Sequence, residues 1–172
     1  MKKYCILIVL LVCSICLSAQ LQVGGGLSFG TEIGKPGIVI KGNYLIKENI
    51  DGSVSLNFFF PDKEGAEGFE SKFSVWTLNF DGHYLLQQEG KVILYPLAGI
   101  NLAFSTFESQ IPNFFGTGTT TFSGSDSSFG LNVGGGAQLS LNEKINGFAE
   151  VKYVLSEFDQ LVIGAGILFT LN

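Results

Sequence analysis

No arginine occurs anywhere in these 172 residues, and no cysteine occurs beyond position 16. Cys5, Cys13 and Cys16 all fall in a leader-like segment. The chain that follows therefore has no thiol for a disulfide, a nucleophile or a metal. Positive charge rests on ten lysines, and Lys2 and Lys3 belong to the leader. The remaining eight lysines face fifteen carboxylates, a formal charge of −7. An acidic, arginine-free chain excludes nucleic acid as a partner, because phosphate contacts depend on clustered Lys and Arg. His83 is the only histidine and makes a poor metal site by itself. Beyond the leader there is no apolar run of spanning-helix length and no 3.6-residue period.

The leader reads as a cleaved secretory signal over residues 1–19. Lys2 and Lys3 form its positive end, residues 5–17 are apolar apart from Ser14, and Ser18-Ala19 is a small-residue cleavage site. One domain is then expected over residues 20–172.

What that domain has in abundance is two-residue alternation. In S-F-G-L-N-V-G-G-G-A-Q-L-S-L (residues 128–141), Phe129, Leu131, Val133, Ala137, Leu139 and Leu141 share one parity. Gly130, Asn132, Gly134, Gly136, Gln138 and Ser140 share the other. A strand sends alternate side chains to opposite faces, so this segment has one apolar and one small, polar face. It exceeds the roughly 5–6 residues of an ordinary strand and suits the about 9–11 of a tilted membrane-crossing one. The glycine triplets at 24–26 and 134–136 sit inside such strands and serve curvature, not phosphate binding.

The same design recurs eight times, which predicts an all-β fold: an eight-stranded antiparallel up-and-down transmembrane β-barrel. Connections of residues 47–52, 87–91 and 142–146 are short and fall on one side, and both long loops, a charged one at 61–71 and the longest at 106–127, fall on the other. Transmembrane barrels show that asymmetry, with short periplasmic turns and longer outer loops. Outward aromatics sort by depth into two girdles, Phe29, Phe60, Trp76, Phe104 and Phe129 at the outer ends of strands and Tyr44, Tyr84 and Phe169 at the inner ends. Phe59, Phe73, Tyr95, Leu97, Phe148, Val162 and Leu168 have inward parity and are expected to pack within a narrow barrel.

Y-P-L-A-G-I-N-L (residues 95–102), G-L-N-V-G-G-G-A-Q (130–138), E-V-K-Y (150–153) and the closing I-G-A-G-I-L-F-T-L carry a resemblance. With the strand pattern, they make the chain resemble the small OmpA/OmpX-type outer-membrane β-barrel domains over essentially its whole length after the leader. The resemblance implies an outer-membrane location, lipid as the surrounding partner and insertion by the barrel-assembly machinery. It departs at the C-terminus, where Phe169-Thr170-Leu171-Asn172 stands in place of a terminal aromatic residue. It implies no particular activity, since such folds host many.

The inward polar set is Lys41, Asn43, Asn57, Asn79, Asp81, His83, Asn101, Asn132, Gln138, Glu150 and Lys152. An eight-stranded barrel is only just wide enough for its side chains to fill, so these residues read as a paired, hydrogen-bonded plug before a pore or a catalytic cluster. His83 lies between Gly82 and Tyr84 and has no serine partner for hydrolysis. The acidic stretch 61–71 matches no calcium loop. Phe114, Phe115 and Phe122 in the long loop are candidate contacts for a partner or for lipopolysaccharide, or a cover for the barrel mouth. No cofactor, metal or catalytic residue is expected. The expected role is envelope integrity or surface interaction, non-enzymatic. A narrow channel for ions or small hydrophobic molecules is the alternative, and a secreted soluble ligand-binding barrel, with every facing inverted, is a further one.

Overall fold

The computed structural model describes residues 21–66, 69–86, 90–112, 119–157 and 159–171. The expected signal peptide, Phe114 and Phe115 lie outside them. The strands follow one another in sequence and in space: β1 (Leu21–Gly30), β2 (Lys35–Lys47), β3 (Ile50–Ala66), β4 (Phe69–Tyr84), β5 (Val92–Pro112), β6 (Thr119–Ser140), β7 (Ile145–Leu155) and β8 (Gln160–Leu171). Every pairing is antiparallel, and β1 meets β8 from Leu21↔Leu171 to Gly30↔Val162, closing an up-and-down barrel.

Local chemistry explains the turns and the closing seam. Gly34 takes φ 67° in the β1–β2 turn, a left-handed conformation that costs glycine little, and its N–H donates to the Gly30 carbonyl at 2.8 Å. At the β1–β8 seam a Cβ on Gly24 or Gly26 would run into the carbonyl oxygens of Ile167 and Ala165. The alternating glycines there let the two backbones close tightly on the lumen side.

Two expected loops are instead strands. The pairing of β3 with β4 continues to Ala66↔Phe69 across a bulge between Phe59 and Asp62. That of β5 with β6 continues without interruption to Pro112↔Thr119. Above the membrane both faces of a hairpin meet water, so pairing persists while the apolar–polar alternation that reveals strands disappears. Phe73 is a related correction: its parity is inward, yet it sits above the rim and is 42% exposed.

Burial is inside-out for a water-soluble protein. Among the described residues, the buried set holds seventeen polar or charged side chains and eight hydrophobic ones. Leu27, Ile40, Val54, Phe80, Leu131, Val133, Ile163 and Ile167 are all exposed. An apolar exterior of this extent suits lipid and not water. It also excludes the soluble barrel with an apolar interior.

Two apolar clusters share the lumen with the polar side chains. Val39, Phe148 and Leu168 pack together. Phe59, Val154 and Val162 do so toward the outer end, with Ile33 and Val75 against them. Polar side chains fill the rest, as the roughly fixed bore of eight strands requires.

Candidate functional site

Strand parity delivers all eleven polar residues singled out above to the lumen. Lys41, Asn43, Asn57, Asn79, Asp81, His83, Asn101, Asn132, Gln138 and Lys152 are buried, and the Glu150 side chain is 11% exposed. Two ion pairs cross the bore. Lys41 on β2 donates to Glu150 on β7. Lys152, also on β7, donates to Asp81 on β4 at 3.1 Å. Glu150 and Lys152 are two apart on one strand face, but each takes its partner from across the lumen.

Asparagines extend this pairing into a network. Asn132 Nδ2 donates to Asp81 Oδ1 at 2.7 Å and to Asn79 Oδ1 at 3.0 Å. Asn101 donates to the same Asn79 oxygen at 2.7 Å. Asn57 and Asn79 donate to Thr77 Oγ1 at 3.2 and 3.3 Å. Toward the inner end Gln138 donates to Gln22 at 3.0 Å. Buried charge is tolerated where it is paired and its remaining valences are bonded. The two ion pairs are bonded in this way, whereas Asn132 Oδ1, both amide atoms of Asn43, Asp51 Oδ1 and both ring nitrogens of His83 are buried without a hydrogen-bond partner among the described residues.

Two contributors went unnoticed among the polar candidates. Tyr95, read from its parity as packing, donates its hydroxyl to Glu150 at 2.7 Å and stacks on His83 with ring centroids 4.5 Å apart. Asp51, read as part of a turn, is buried beside His83. The His83 nitrogens lie 3.8 Å from Asp51 Oδ2 and from Glu150 Oε1, too far for hydrogen bonds. No serine hydroxyl is bonded to His83, so the nucleophile–base contact of a hydrolase is absent among the described residues. Nor do the described residues hold a group of three or more metal-ligating side chains.

Outside the lumen, the girdle residues face the lipid side. Phe58, Trp76 and Phe104 lie side by side across β3, β4 and β5, and the Trp76 and Phe104 rings stack at 4.1 Å. Phe29, Phe60, Phe129, Tyr84 and Phe169 are exposed, and Tyr44 is half-buried. Phe122 is exposed on the projecting part of β6, 58% accessible.

The outer end is asymmetric. β7 pairs with β6 only as far as Leu131↔Leu155, and β2 pairs with β3 only as far as Gly37↔Phe59. The upper parts of β3, β4, β5 and β6 therefore stand as a four-stranded sheet above a low rim made by the β1–β2 and β7–β8 connections. At the foot of this sheet lies a cavity of ≈ 260 Å³. Phe73, Val75, Ala103, Ser105, Asp126 and Ser128 line it from the sheet, and Glu32, Ile33, Ser156 and Gln160 from the rim, over Asn101. Of these, Glu32, Ile33, Asp126, Ser156 and Gln160 lie in or beside segments that the sequence presents as connections, whereas Phe73, Val75, Ala103, Ser105 and Ser128 lie outside them.

No protein family matches the chain, and no curated protein matches it in sequence. Solved structures do match. A major outer membrane protein from Thermus thermophilus superposes with a TM-score of 0.72 at 14% identity, covering 90% of this chain and 100% of that one. The N-terminal β-barrel domain of Pseudomonas aeruginosa OprF gives 0.62 at 13%, covering 90% and 100%. Ail, the attachment invasion locus protein of Yersinia pestis, gives 0.58 at 17%, covering 89% and 97%. Identities this low speak for the fold alone. That fold, joined to a lipid-facing exterior and a polar interior, places the chain in an outer membrane. The chain has the fold of the small eight-stranded outer-membrane β-barrels, over nearly its whole described length.

Proposed function

We propose that this barrel is a non-enzymatic surface-interaction protein of the outer membrane, with its projecting sheet as the contact surface. The observation that carries the reading is the open edge of β6. Among the described residues, 121–130 pair with β5 on one side and with no strand on the other. An edge strand offers a row of free N–H and C=O groups, and proteins that must not use such an edge protect it with Lys, Pro or a bulge. T-F-S-G-S-D-S-S-F-G has neither Lys nor Pro, its only charge is Asp126, and its ladder with β5 is unbroken. An extended segment of another protein adding to this edge, with Phe122 as an apolar anchor, is the recognition mode it suits. Phe114 and Phe115 belong to the same proposed surface by sequence. A surface role has a precedent on this fold in the attachment invasion locus protein, with which only the fold is shared.

Lipid is the partner of the remaining exterior, and the barrel-assembly machinery is the proposed route of insertion. The filled lumen supports this reading against the narrow channel. Lys41–Glu150 and Asp81–Lys152 cross the bore, and two apolar clusters share the lumen with them.

The test compares the full chain with a variant in which residues 106–127 are replaced by an Asn-Gly turn. Cells displaying the full chain are expected to adhere and to aggregate with one another. Cells displaying the truncated barrel are expected to fall to the level of cells without it. Equal adhesion by the two would remove the projecting sheet from the account. Steady unitary conductance of the purified chain in planar bilayers would move the assignment to a channel.

A further inference from the structure

We propose that the outer mouth of the barrel is a binding site for a small organic cation with an apolar body. The site takes Asp126 and Ser128 from the β6 edge segment but does not rest on the surface-contact reading.

Its shape and wall chemistry come first. The cavity of ≈ 260 Å³ is a recess between the tall sheet and the low rim. It is a little smaller than drug-sized pockets of roughly 300–1,000 Å³, so it suits one aromatic ring or a short branched chain. Ile33, Phe73, Val75 and Ala103 supply apolar wall. Phe73, whose parity points inward although it stands above the rim, closes the recess from the sheet side.

Charge then selects the ligand. Glu32 enters from the β1–β2 turn and Asp126 from β6, strands on opposite sides of the ring. No lysine is among the cavity's described lining residues, although Lys35 lines a smaller recess that shares Ile33, Phe73 and Val75 with it. An anion placed there would lie between two carboxylates, which is unfavourable. An ammonium placed there gains both.

The third observation is a buried acceptor. Gln160 lines the cavity, is 8% exposed, and its Oε1 has no hydrogen-bond partner among the described residues. An unsatisfied buried acceptor is costly, and a ligand N–H that bonds it recovers that cost. The residue opposite is Gly30, where a Cβ would stand 2.8 Å from that oxygen, so the absent side chain leaves it room. Beneath, Asn101 is fixed by its bond to Asn79 and gives a rigid floor.

The experiment uses the chain refolded into phosphatidylcholine nanodiscs with labelled Ile and Val methyl groups. The probe is 2-phenylethylammonium, set against neutral 2-phenylethanol and anionic 3-phenylpropanoate. Saturable shifts are expected at Ile33 and Val75 and not at lipid-facing Ile163. The cation is expected to bind roughly tenfold more tightly than the alcohol, as two partly exposed charge pairs allow. The anion is expected to bind more weakly than either. E32Q/D126N should bring the cation down to the alcohol's affinity, and both carboxylates are exposed, so folding is unaffected. Gln160→Leu should weaken the cation in the otherwise unchanged protein. Equal binding of cation and anion, shifts at Ile163 matching those at Val75, or an E32Q/D126N variant that binds as before would each overturn the proposal.

Discussion

Asp81→Leu is expected to destabilise the folded barrel by about 3–5 kcal/mol, the usual cost of removing one member of a buried ion pair. The size of the effect follows from what Asp81 holds. Its Oδ2 accepts from Lys152 at 3.1 Å, and its Oδ1 accepts from Asn132 at 2.7 Å. The Asp81 and Lys152 side chains are 2% and 6% exposed, so water does not replace the lost partner. Leucine therefore leaves a buried ammonium without its acceptor and takes from the Asn132 amide the shortest of its bonds. The double variant Asp81→Leu/Lys152→Met removes the unpaired charge as well and is expected to recover most of the loss. Denaturant unfolding of lipid-reconstituted protein measures both. A loss below about 1 kcal/mol in the single variant would mean that the lumen is wet enough to solvate Lys152, as a surface pair would be.

Val133→Arg is expected to cost about 2–4 kcal/mol, as a cation does near the bilayer midplane on the lipid face of a barrel. Val133 is 53% exposed and lies between Ala98 and Tyr153 of the flanking strands. In water an exposed Val→Arg change of this kind is usually within about 0.5 kcal/mol. Phe122→Arg is the internal control. Phe122 is 58% exposed on the same strand but above the rim, so stability should change by no more than about 0.5 kcal/mol. The pair separates membrane exposure from exposure in general. Equal small effects at both positions would contradict a lipid-facing β6.

Strand number, order and facing were legible in the sequence because a two-residue period is a local signal. Val133 and Asn132 differ by one position and by the whole thickness of the barrel wall. Partners across the lumen were not legible. Lys41 meets Glu150 over 109 residues of chain because of how strongly the closed sheet is sheared, and no short window records shear. Two neighbours on one strand face, Glu150 and Lys152, look like a natural pair in sequence, but their carboxylate and ammonium point at different strands.

The heights of the strands were illegible for a different reason. Alternation marks a strand only where its two faces see different solvents, and the upper parts of β5 and β6 do not. The outer cavity escaped notice as a consequence. Glu32 and Gln160 lie in or beside turns, and Asp126 lies in what reads as a loop of low complexity, so their convergence exists only in the closed barrel. Tyr95 shows the same limit within the lumen. Its inward parity was evident, but its hydroxyl bond to Glu150 depends on β5 and β7 lying one strand apart at matching height.

Every assignment above depends on a closed barrel whose polar side is inside and whose apolar side meets lipid. The most direct test is the mobility of the membrane-extracted protein in SDS, unboiled against boiled. A closed barrel with a bonded lumen resists SDS in the cold and unfolds on heating, so two distinct mobilities are expected from protein recovered in the membrane fraction. A single mobility, with the protein recovered in the soluble fraction, would contradict the closed transmembrane barrel and the lumen and mouth chemistry built upon it.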